Sequence, residues 1–369
     1  MTDRDYMLRA IELAKGGLGW TSPNPLVGAV IVKDGRIIGE GYHERCGKLH
    51  AERNAIASLT ESAEGATLYV TLEPCCHYGK TPPCTEAILE QKIARVVIGS
   101  RDPNPLVAGK GAAILRAAGV RVEEDFMREE CDALNPVFFH YITKKTPYVV
   151  MKYAMTADGK IAARTGDSKW ITGESARKKV QELRHQYMGI MAGIGTVLAD
   201  DPMLNVRIPG LKSPVRIICD SGLRIPMDSK IVKTAKAYRT IVAYAGEHSG
   251  EGCKEAEEKE EQLHAAGVET VSVPDADGRV DLRKLMEYLG KQGIDSVLLE
   301  GGGTLNDAAL SAGIVNEICA FIAPKIFGGA GAKTPVSGIG VAHPAEAVML
   351  TLRQMETIGD DLMLRYSVD

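Results

Sequence analysis

Four residues have the types and the order that metal-assisted hydrolysis requires: His50, Glu52, Cys75 and Cys84. A catalytic zinc takes three protein ligands and keeps its fourth position for water. One histidine and two cysteines supply that number. Glu52 stands two places after His50, where a helix is expected to begin. From there a carboxylate can reach over the metal without ligating it and carry protons between a water and a leaving amine. Pro82-Pro83 places Cys84 just ahead of a second expected helix, whose free N–H groups stabilise a thiolate. The competing arrangement is a closed structural site drawn from Cys75, Cys76, Cys84 and either His77 or His50. Adjacent residues point apart, so Cys75 and Cys76 are poor co-ligands, and a closed site leaves Glu52 without a task. The pattern favours catalysis, with Cys76 a bystander.

His-x-Glu followed by Pro-Cys-x-x-Cys is the signature of zinc-dependent hydrolytic deaminases, with the glutamate as acid and base. His50-Ala51-Glu52 and Pro74-Cys75 fit it. The second cysteine departs from it, because Cys84 follows Cys75 by nine positions.

The elements that must hold these residues are legible as alternating strands and helices. Residues 5–15 form an amphipathic helix pattern. Leu26 to Val32 and Ile37 to Gly41 flank Lys33-Asp34-Gly35-Arg36, a strong hairpin signal. A helix is expected at His50 to Leu59, a strand at Ala66 to Leu72, a helix at Thr85 to Lys92 and a strand at Arg95 to Gly99. Gly111 to Ala118 and Val120 to Glu123 continue the alternation, which is that of a layered α/β domain. Thr143-Lys144-Lys145-Thr146-Pro147 is a boundary candidate, so we expect a metal-dependent domain at 1–145 and a second domain at 146–369. Apolar runs then recur at Tyr148–Met155, Gly189–Val197, Val215–Cys219, Thr240–Tyr244, Thr270–Val273, Ser296–Leu299 and Glu317–Phe327. The tail, Ala347 to Val368, reads as a closing hairpin turning at Ile358-Gly359-Asp360-Asp361. The Glu- and Lys-rich stretch Glu251 to Gln262 reads as a solvated helix face.

Composition bounds the function. The chain has 369 residues, 45% hydrophobic and 25% charged, with net charge -4. Two domains are the natural prior at that length. No Lys/Arg block is long enough to track a phosphate backbone, so nucleic acid is not an expected partner. The amino terminus lacks an apolar signal core, and the longest apolar run, Gly189 to Ala199, is too short to span a membrane. A cytosolic protein with reduced cysteines is expected.

In the second half, Gly193-Ile-Gly195 lacks the third glycine of a dinucleotide fingerprint. A better cluster runs from the strand Ser296–Glu300 through Gly301-Gly302-Gly303 into the helix Thr304–Leu310. Backbone N–H groups at such a helix start can cradle phosphate, although glycine turns between strand and helix are also common punctuation.

Thr71-Leu-Glu-Pro-Cys-Cys-His-Tyr-Gly-Lys-Thr-Pro-Pro-Cys84 and Asp102-Pro-Asn-Pro-Leu-Val-Ala-Gly-Lys-Gly111 resemble the bifunctional riboflavin-biosynthesis deaminase/reductase family. The long cysteine spacing is a mark of that family. Asn24-Pro-Leu-Val-Gly-Ala-Val30, Asp158-Gly-Lys-Ile-Ala162, Ser168-Lys-Trp-Ile-Thr172, Gly195-Thr-Val-Leu-Ala-Asp-Asp-Pro202 and Ala323-Pro-Lys-Ile-Phe-Gly-Gly329 extend the resemblance over nearly the whole chain. Cys76 departs from it, standing where the family usually has serine.

The resemblance implies a cytidine-deaminase-like three-layer α/β domain followed by a dihydrofolate-reductase-like domain. It implies zinc and NADPH as cofactors and a small phosphorylated pyrimidine as substrate. The first reaction would be deamination at C2 of a diaminopyrimidinone ribosylamino phosphate, the second reduction of its ribosyl group to ribityl. By the same resemblance Asn24, His43, Lys80 and Asn104 line the deaminase pocket. Ala154, Trp170, Thr196, Asp200, Ser221, Gly302, Gly303, Thr304, Leu305 and Asn306 match cofactor positions. Ser168, Arg184, Leu204, Arg207 and Glu300 match reductase-substrate positions, the two arginines suiting a ribose phosphate. A homo-oligomer is expected.

Plainer readings stand beside these: Asn24 and Asn104 as pre-proline turn residues, His43 as a surface histidine, Lys80 as a solvated lysine and Trp170 as core. Three other functions remain open. They are a nucleoside or nucleic-acid deaminase with an unrelated second domain, a reductase with an inactive front domain, and a non-catalytic zinc-stapled nucleotide-binding protein.

Overall fold

A computed structural model describes residues 1–78, 82–105, 107–246 and 253–369, without the side chain of Cys253. The chain divides into two compact units, Met1–Lys145 and Thr146–Asp369.

The first unit is a five-stranded sheet between two helix layers. Its strands are β1 (Gly28–Lys33), β2 (Arg36–Tyr42), β3 (Thr67–Leu72), β4 (Arg95–Ser100) and β5 (Arg121–Glu123), in the order β2-β1-β3-β4-β5. The hairpin partners β1 and β2 are antiparallel, as are β1 and β3, while β3, β4 and β5 run parallel. Alternation along β1 divides the core. Ala29 and Ile31 face one side with Leu68, Val70, Val96 and Ile98. There they meet α2 (Ala51–Ala57), α3 (Cys84–Glu90) and α4 (Lys110–Ala117) through Ala55, Ile88 and Leu115. Val30 and Val32 face the other side, against Tyr6, Met7 and Ala10 of α1 (Asp3–Ala14). A Thr2/Asp5 capping box starts α1 and satisfies N–H groups that would otherwise lack partners. Gly41 lets α2 seat on the sheet, because a Cβ there would lie 2.3 Å from the Ala55 nitrogen. The short helices α5 (Arg128–Asp132) and α6 (Pro136–Lys144) complete the unit.

The second unit is built on nine strands: β6 (Tyr148–Thr156), β7 (Gly189–Gly193), β8 (Val215–Cys219), β9 (Thr240–Tyr244), β10 (Glu269–Ser272), β11 (Ser296–Leu299), β12 (Glu317–Ala323), β13 (Leu350–Ile358) and β14 (Asp361–Val368). Their order is β10-β9-β8-β7-β11-β6-β12-β14-β13. The first seven in that order are parallel, and the tail hairpin adds two antiparallel strands at one edge. Helices α8 (Ile194–Asp200), α9 (Lys230–Lys233) and α10 (Cys253–Ala265) bury Val197, Ile231 and Leu263 on one face. On the opposite face α11 (Leu282–Lys291) and α12 (Gly303–Ser311) bury Leu285, Leu289 and Ala309. The remaining helix, α7 (Glu174–Gln186), buries Val180 and Leu183.

Two apolar runs break earlier than expected. Gly189 to Val197 is a strand only to Gly193, where the chain turns into α8. The run from Glu317 stops pairing at Ala323, because Pro324 has no N–H for a sheet ladder. Within Glu251 to Gln262, α10 covers the residues from Cys253 onward, and Glu251 and Gly252 lie outside the described residues.

Candidate metal centre and strand-end site

Two helix starts bring the candidate metal ligands together. His50 is the N-cap of α2, and Cys84 is the first residue of α3. Cys75 follows β3 through Glu73-Pro74, and its sulfur accepts the Cys84 backbone N–H at 3.4 Å. His50 Nδ1 lies 3.5 Å from the Cys75 sulfur and 3.4 Å from the Cys84 sulfur. All three donor atoms fall within 4.8 Å of one another. Tetrahedral zinc with ordinary Zn–S and Zn–N bonds requires an N···S separation of roughly 3.5 Å. The triad therefore fits zinc, with room for one further ligand. Cys76 is outside this group.

The Cys84 thiol and His50 both donate toward Cys75, which brings its pKa down to about 4. The same shared proton, together with burial, raises Cys84. Cys75 is thus the sulfur that ionises first. Glu52 sits in the first turn of α2 and is 3% exposed. Burial, and then the adjacent Cys75 sulfur, push its carboxyl up to about 7.

A cavity of about 320 Å³ opens beside these residues, and Asn24, His43, Glu52 and Asn104 line it. His43 is buried, not a surface residue. Its Nδ1 lies 2.9 Å from the Leu49 carbonyl and its Nε2 lies 3.2 Å from the Asn24 amide. That leaves Nδ1 donating and Nε2 accepting. Burial lowers the His43 pKa and favours this neutral form. Asn24 is therefore held by a specific partner inside the cavity. Lys80 lies outside the described residues.

Sequence reasoning missed several lining residues: Lys48, Glu73, His77, Asp102 and Phe138. Glu73 is buried, and its carboxylate accepts the backbone N–H groups of Gly109 and Ala112, anchoring the loop that carries Asn104. Asp102 accepts the Asn104 N–H at 2.8 Å, and burial followed by the nearby Glu73 charge leaves its carboxyl raised to about 6. For Glu73, His77 and Asp102 the available signal was their position in the same strand-end stretches as Cys75 and Asn104; Lys48 precedes α2 and Phe138 lies in α6, with no such signal.

The second site lies at the carboxyl ends of parallel strands, where open α/β sheets bind ligands. Neighbours β8, β7, β11 and β6 bring Ser221, Thr196, the Gly301-Gly302-Gly303 turn and Ala154 to one edge. Gly302 is the N-cap of α12, and a Cβ on it would meet Thr196 Oγ1 at 4.0 Å, an open approach for a ligand. A Cβ on Gly303 would lie 2.3 Å from Ser337 Oγ and 2.8 Å from the Thr334 carbonyl, so only glycine fits there. Asn306 donates to the Pro335 carbonyl, while its buried Oδ1 has no hydrogen-bond partner. Thr304 is exposed and Leu305 half-buried in the first turn of α12. An open helix N-terminus beside an unpartnered buried acceptor fits a dinucleotide phosphate.

Arg184 makes two bonds to Glu300, at 2.7 and 3.0 Å, and a third to the Asn205 carbonyl. Lys152 adds an ion pair to Glu300 at 3.6 Å. Burial alone would raise the Glu300 carboxyl, but the Arg184 and Lys152 charges overcome it and hold it at about 2. Lys152 was missed from sequence, although a lysine inside the apolar run of β6 is an anomaly worth reading. Arg207, Asp200 and Trp170 are exposed and Ser168 is half-buried. Trp170 is not core; the Arg177 guanidinium lies over its ring, 4.5 Å from the centroid. Leu204 packs in the core, which leaves only its backbone for a ligand. Ser221 Oγ accepts the Val280 N–H.

Two family models match the chain: the cytidine and deoxycytidylate deaminase zinc-binding region over residues 1–100, and the RibD C-terminal domain over residues 147–364. The chain is 58% identical over 368 residues to the riboflavin biosynthesis protein RibD of Actinobacillus pleuropneumoniae, covering 100% of this chain and 96% of that one. Among solved structures it is similar to Acinetobacter baumannii RibD, at 38% identity and TM-score 0.87, covering 100% and 99% of the two chains. It is also similar to a diaminohydroxyphosphoribosylaminopyrimidine deaminase/5-amino-6-(5-phosphoribosylamino)uracil reductase from Thermotoga maritima, at 39% identity and TM-score 0.86, covering 99% and 98%. With both halves matched, and matched in one continuous relative, the chain belongs to the RibD family of bifunctional deaminase/reductases of riboflavin biosynthesis.

Proposed function

We propose that His50, Cys75 and Cys84 hold the zinc of the deaminase and that Glu52 is its proton carrier. The observation that carries this reading is the three-donor set with a buried carboxylate beside it at one cavity. Zinc, when bound, supplies Lewis acidity and lowers the pKa of water in its open position. Glu52, poised near neutrality, takes a proton from water and delivers it to the departing amine. Water is consumed, a carbonyl replaces the C2 amine, and ammonia leaves. Asn24, His43 and Asn104 orient the pyrimidine, and Lys80 meets its anionic part. The substrate is 2,5-diamino-6-(5-phosphoribosylamino)pyrimidin-4(3H)-one.

The second unit reduces the ribosyl group of the deaminated product to ribityl. NADPH supplies the hydride. The start of α12, through Gly302, Gly303, Thr304, Leu305 and Asn306, holds the cofactor phosphates, and Ala154, Trp170, Thr196, Asp200 and Ser221 hold the rest of it. Ser168, Arg207 and the backbone at Leu204 receive the phosphorylated substrate. Arg184 acts through Glu300, keeping that carboxylate ionised beside Lys152. The protein works in the cytosol as a homo-oligomer. That assembly is supported by the large apolar residues exposed at one end of the nine-stranded sheet.

The test supplies the diaminopyrimidinone and NADPH and follows ammonia release and NADPH oxidation together. Both should proceed, with oxidation lagging ammonia. Ammonia without NADPH loss would remove the second assignment, and NADPH loss without ammonia the first.

A further inference from the structure

The chain leaving β8 turns tightly from Asp220 to Ile225. The Asp220 N–H donates to the Ala243 carbonyl of β9, and the Leu223 N–H donates to the Asp220 carbonyl at 3.0 Å. Leu223 takes a positive φ of 49° in this turn. The Asp220 carboxylate is 0% exposed and accepts the Ile225 N–H through Oδ2 at 2.7 Å. Its Oδ1 has no hydrogen-bond partner among the described residues and lies 3.6 Å from Nε of Arg224. Arg224 is the reverse case, with its side chain 63% exposed. A buried carboxylate under one edge of a guanidinium holds the side chain and leaves the two terminal amino groups for an anion.

This turn stands at the strand-end site. Ser221, its second residue, matches a cofactor position and accepts the Val280 N–H. In the sheet order β8 lies two places from β11, whose Gly301-Gly302-Gly303 turn opens α12. At a strand spacing of about 4.8 Å, the two strand ends are roughly 10 Å apart. That is within the reach of one nucleotide laid across the sheet from its pyrophosphate. A dinucleotide site without a 2′-phosphate to hold places a carboxylate on the ribose 2′-hydroxyl, and an arginine there accommodates a 2′-phosphate instead. Here the carboxylate at the strand end is withdrawn into the protein and the guanidinium is presented. Its planar fork matches two phosphate oxygens at once.

We propose that Arg224 binds the 2′-phosphate of NADPH and thereby selects NADPH over NADH, a role that rests on the reading of Ser221 and the start of α12 as the cofactor site. The α12 end recognises what the two cofactors share, and the Arg224 end recognises the one group in which they differ. A second cation, Arg279, adjoins Val280 and is exposed as well. No ion pair directs its side chain among the described residues, whereas Asp220 holds Arg224 from below.

The experiment is fluorescence titration of the zinc-loaded full chain with NADPH and, separately, with NADH. The wild type should bind NADPH at least about tenfold more tightly. Arg224→Ala should weaken NADPH by at least about tenfold and leave NADH unchanged, so that the preference collapses. The side chain is solvent-facing, and circular dichroism should show the fold retained. Arg279→Ala should leave both affinities unchanged. A wild type without preference, an Arg224→Ala chain that keeps the preference, or one that loses NADPH and NADH equally would each overturn the proposal. So would a preference lost in Arg279→Ala and kept in Arg224→Ala. Gly303→Ala separates this from the reading beneath it, because disturbing the start of α12 should weaken both cofactors alike. If Gly303→Ala leaves both affinities unchanged, the cofactor-site reading fails and takes the proposal with it; if it weakens both while Arg224→Ala does nothing, the proposal alone fails.

Discussion

The two sites of this chain are built from different materials. The candidate metal centre is made of side chains: an imidazole, two thiols and a carboxylate, gathered at the starts of α2 and α3 and the end of β3. The strand-end site is made largely of backbone: a glycine turn, a helix N-terminus and the ends of four parallel strands. The difference follows from who carries the chemistry. Deamination needs proton transfer and water activation by groups of the protein and its metal, so rare residue types appear at restrictive spacings. Hydride transfer is carried by the cofactor, and the protein has mainly to hold and orient it. Catalytic loss should therefore be abrupt in the first site and graded in the second.

The largest effect is expected from removing a zinc ligand. Cys84→Ser should abolish stoichiometric zinc and lower ammonia release by roughly a thousandfold or more. Reduction of pre-deaminated substrate should change less than about twofold, since the second unit has its own core. Metal analysis alongside the two separate assays checks this. Equal loss of both activities would break the contrast between the sites.

A smaller and graded effect is expected at α12. Gly303→Ala forces a Cβ against Ser337 and the Thr334 carbonyl, displacing the turn that starts the helix. NADPH binding, measured by fluorescence titration, should weaken by roughly tenfold, about 1.4 kcal/mol. Zinc content and ammonia release should not move. Unchanged affinity would show that the phosphates sit elsewhere.

The effect on turnover that is smallest accompanies a pH dependence of stability confined to the second unit. The Glu300 carboxyl, held at about 2, lies below the ordinary value of 4.5. Its ionised pairing with Arg184 and Lys152 thus stabilises the fold above that ordinary value. The contribution is lost as pH falls from about 4.5 toward about 2, and it amounts to on the order of 3 kcal/mol at most. Glu300→Gln should be less stable than the wild type near neutrality, and the gap should close on acidification. A gap that is constant with pH would mean that Glu300 is not ionised in the folded chain.

The same contrast explains what was legible in the sequence. His50, Glu52, Cys75 and Cys84 could be picked out because their types are uncommon and their spacing is constrained. Asp34-Gly35 marked the β1–β2 turn because few dipeptides suit it, and both residues have positive φ in the structure. The α/β alternation was readable for the same reason in both halves, since buried strands are apolar and turns are polar. Other features depend on distance in space and left little trace. Glu73 and Lys152 each look ordinary until folding brings them to Gly109 and to Glu300. Without the resemblance, His43 could equally be read as a surface residue, because nothing local to it announces Asn24 and Leu49 as partners. Gly189 to Val197 read as one apolar run because strand and helix are both buried there, and hydrophobicity alone does not separate them. In the second site, glycine turns are too common to identify a cofactor, and the resemblance to known sequences supplied most of the residue assignments.

Deamination at the proposed metal centre depends most directly on Glu52 as its proton carrier. Its direct test is Glu52→Gln, assayed for zinc content, ammonia release and reduction of pre-deaminated substrate in one preparation. Zinc should remain at one per chain and reduction should be unchanged, while ammonia release falls by roughly a hundredfold or more. A Glu52→Gln chain that binds zinc and deaminates at the wild-type rate would contradict the account.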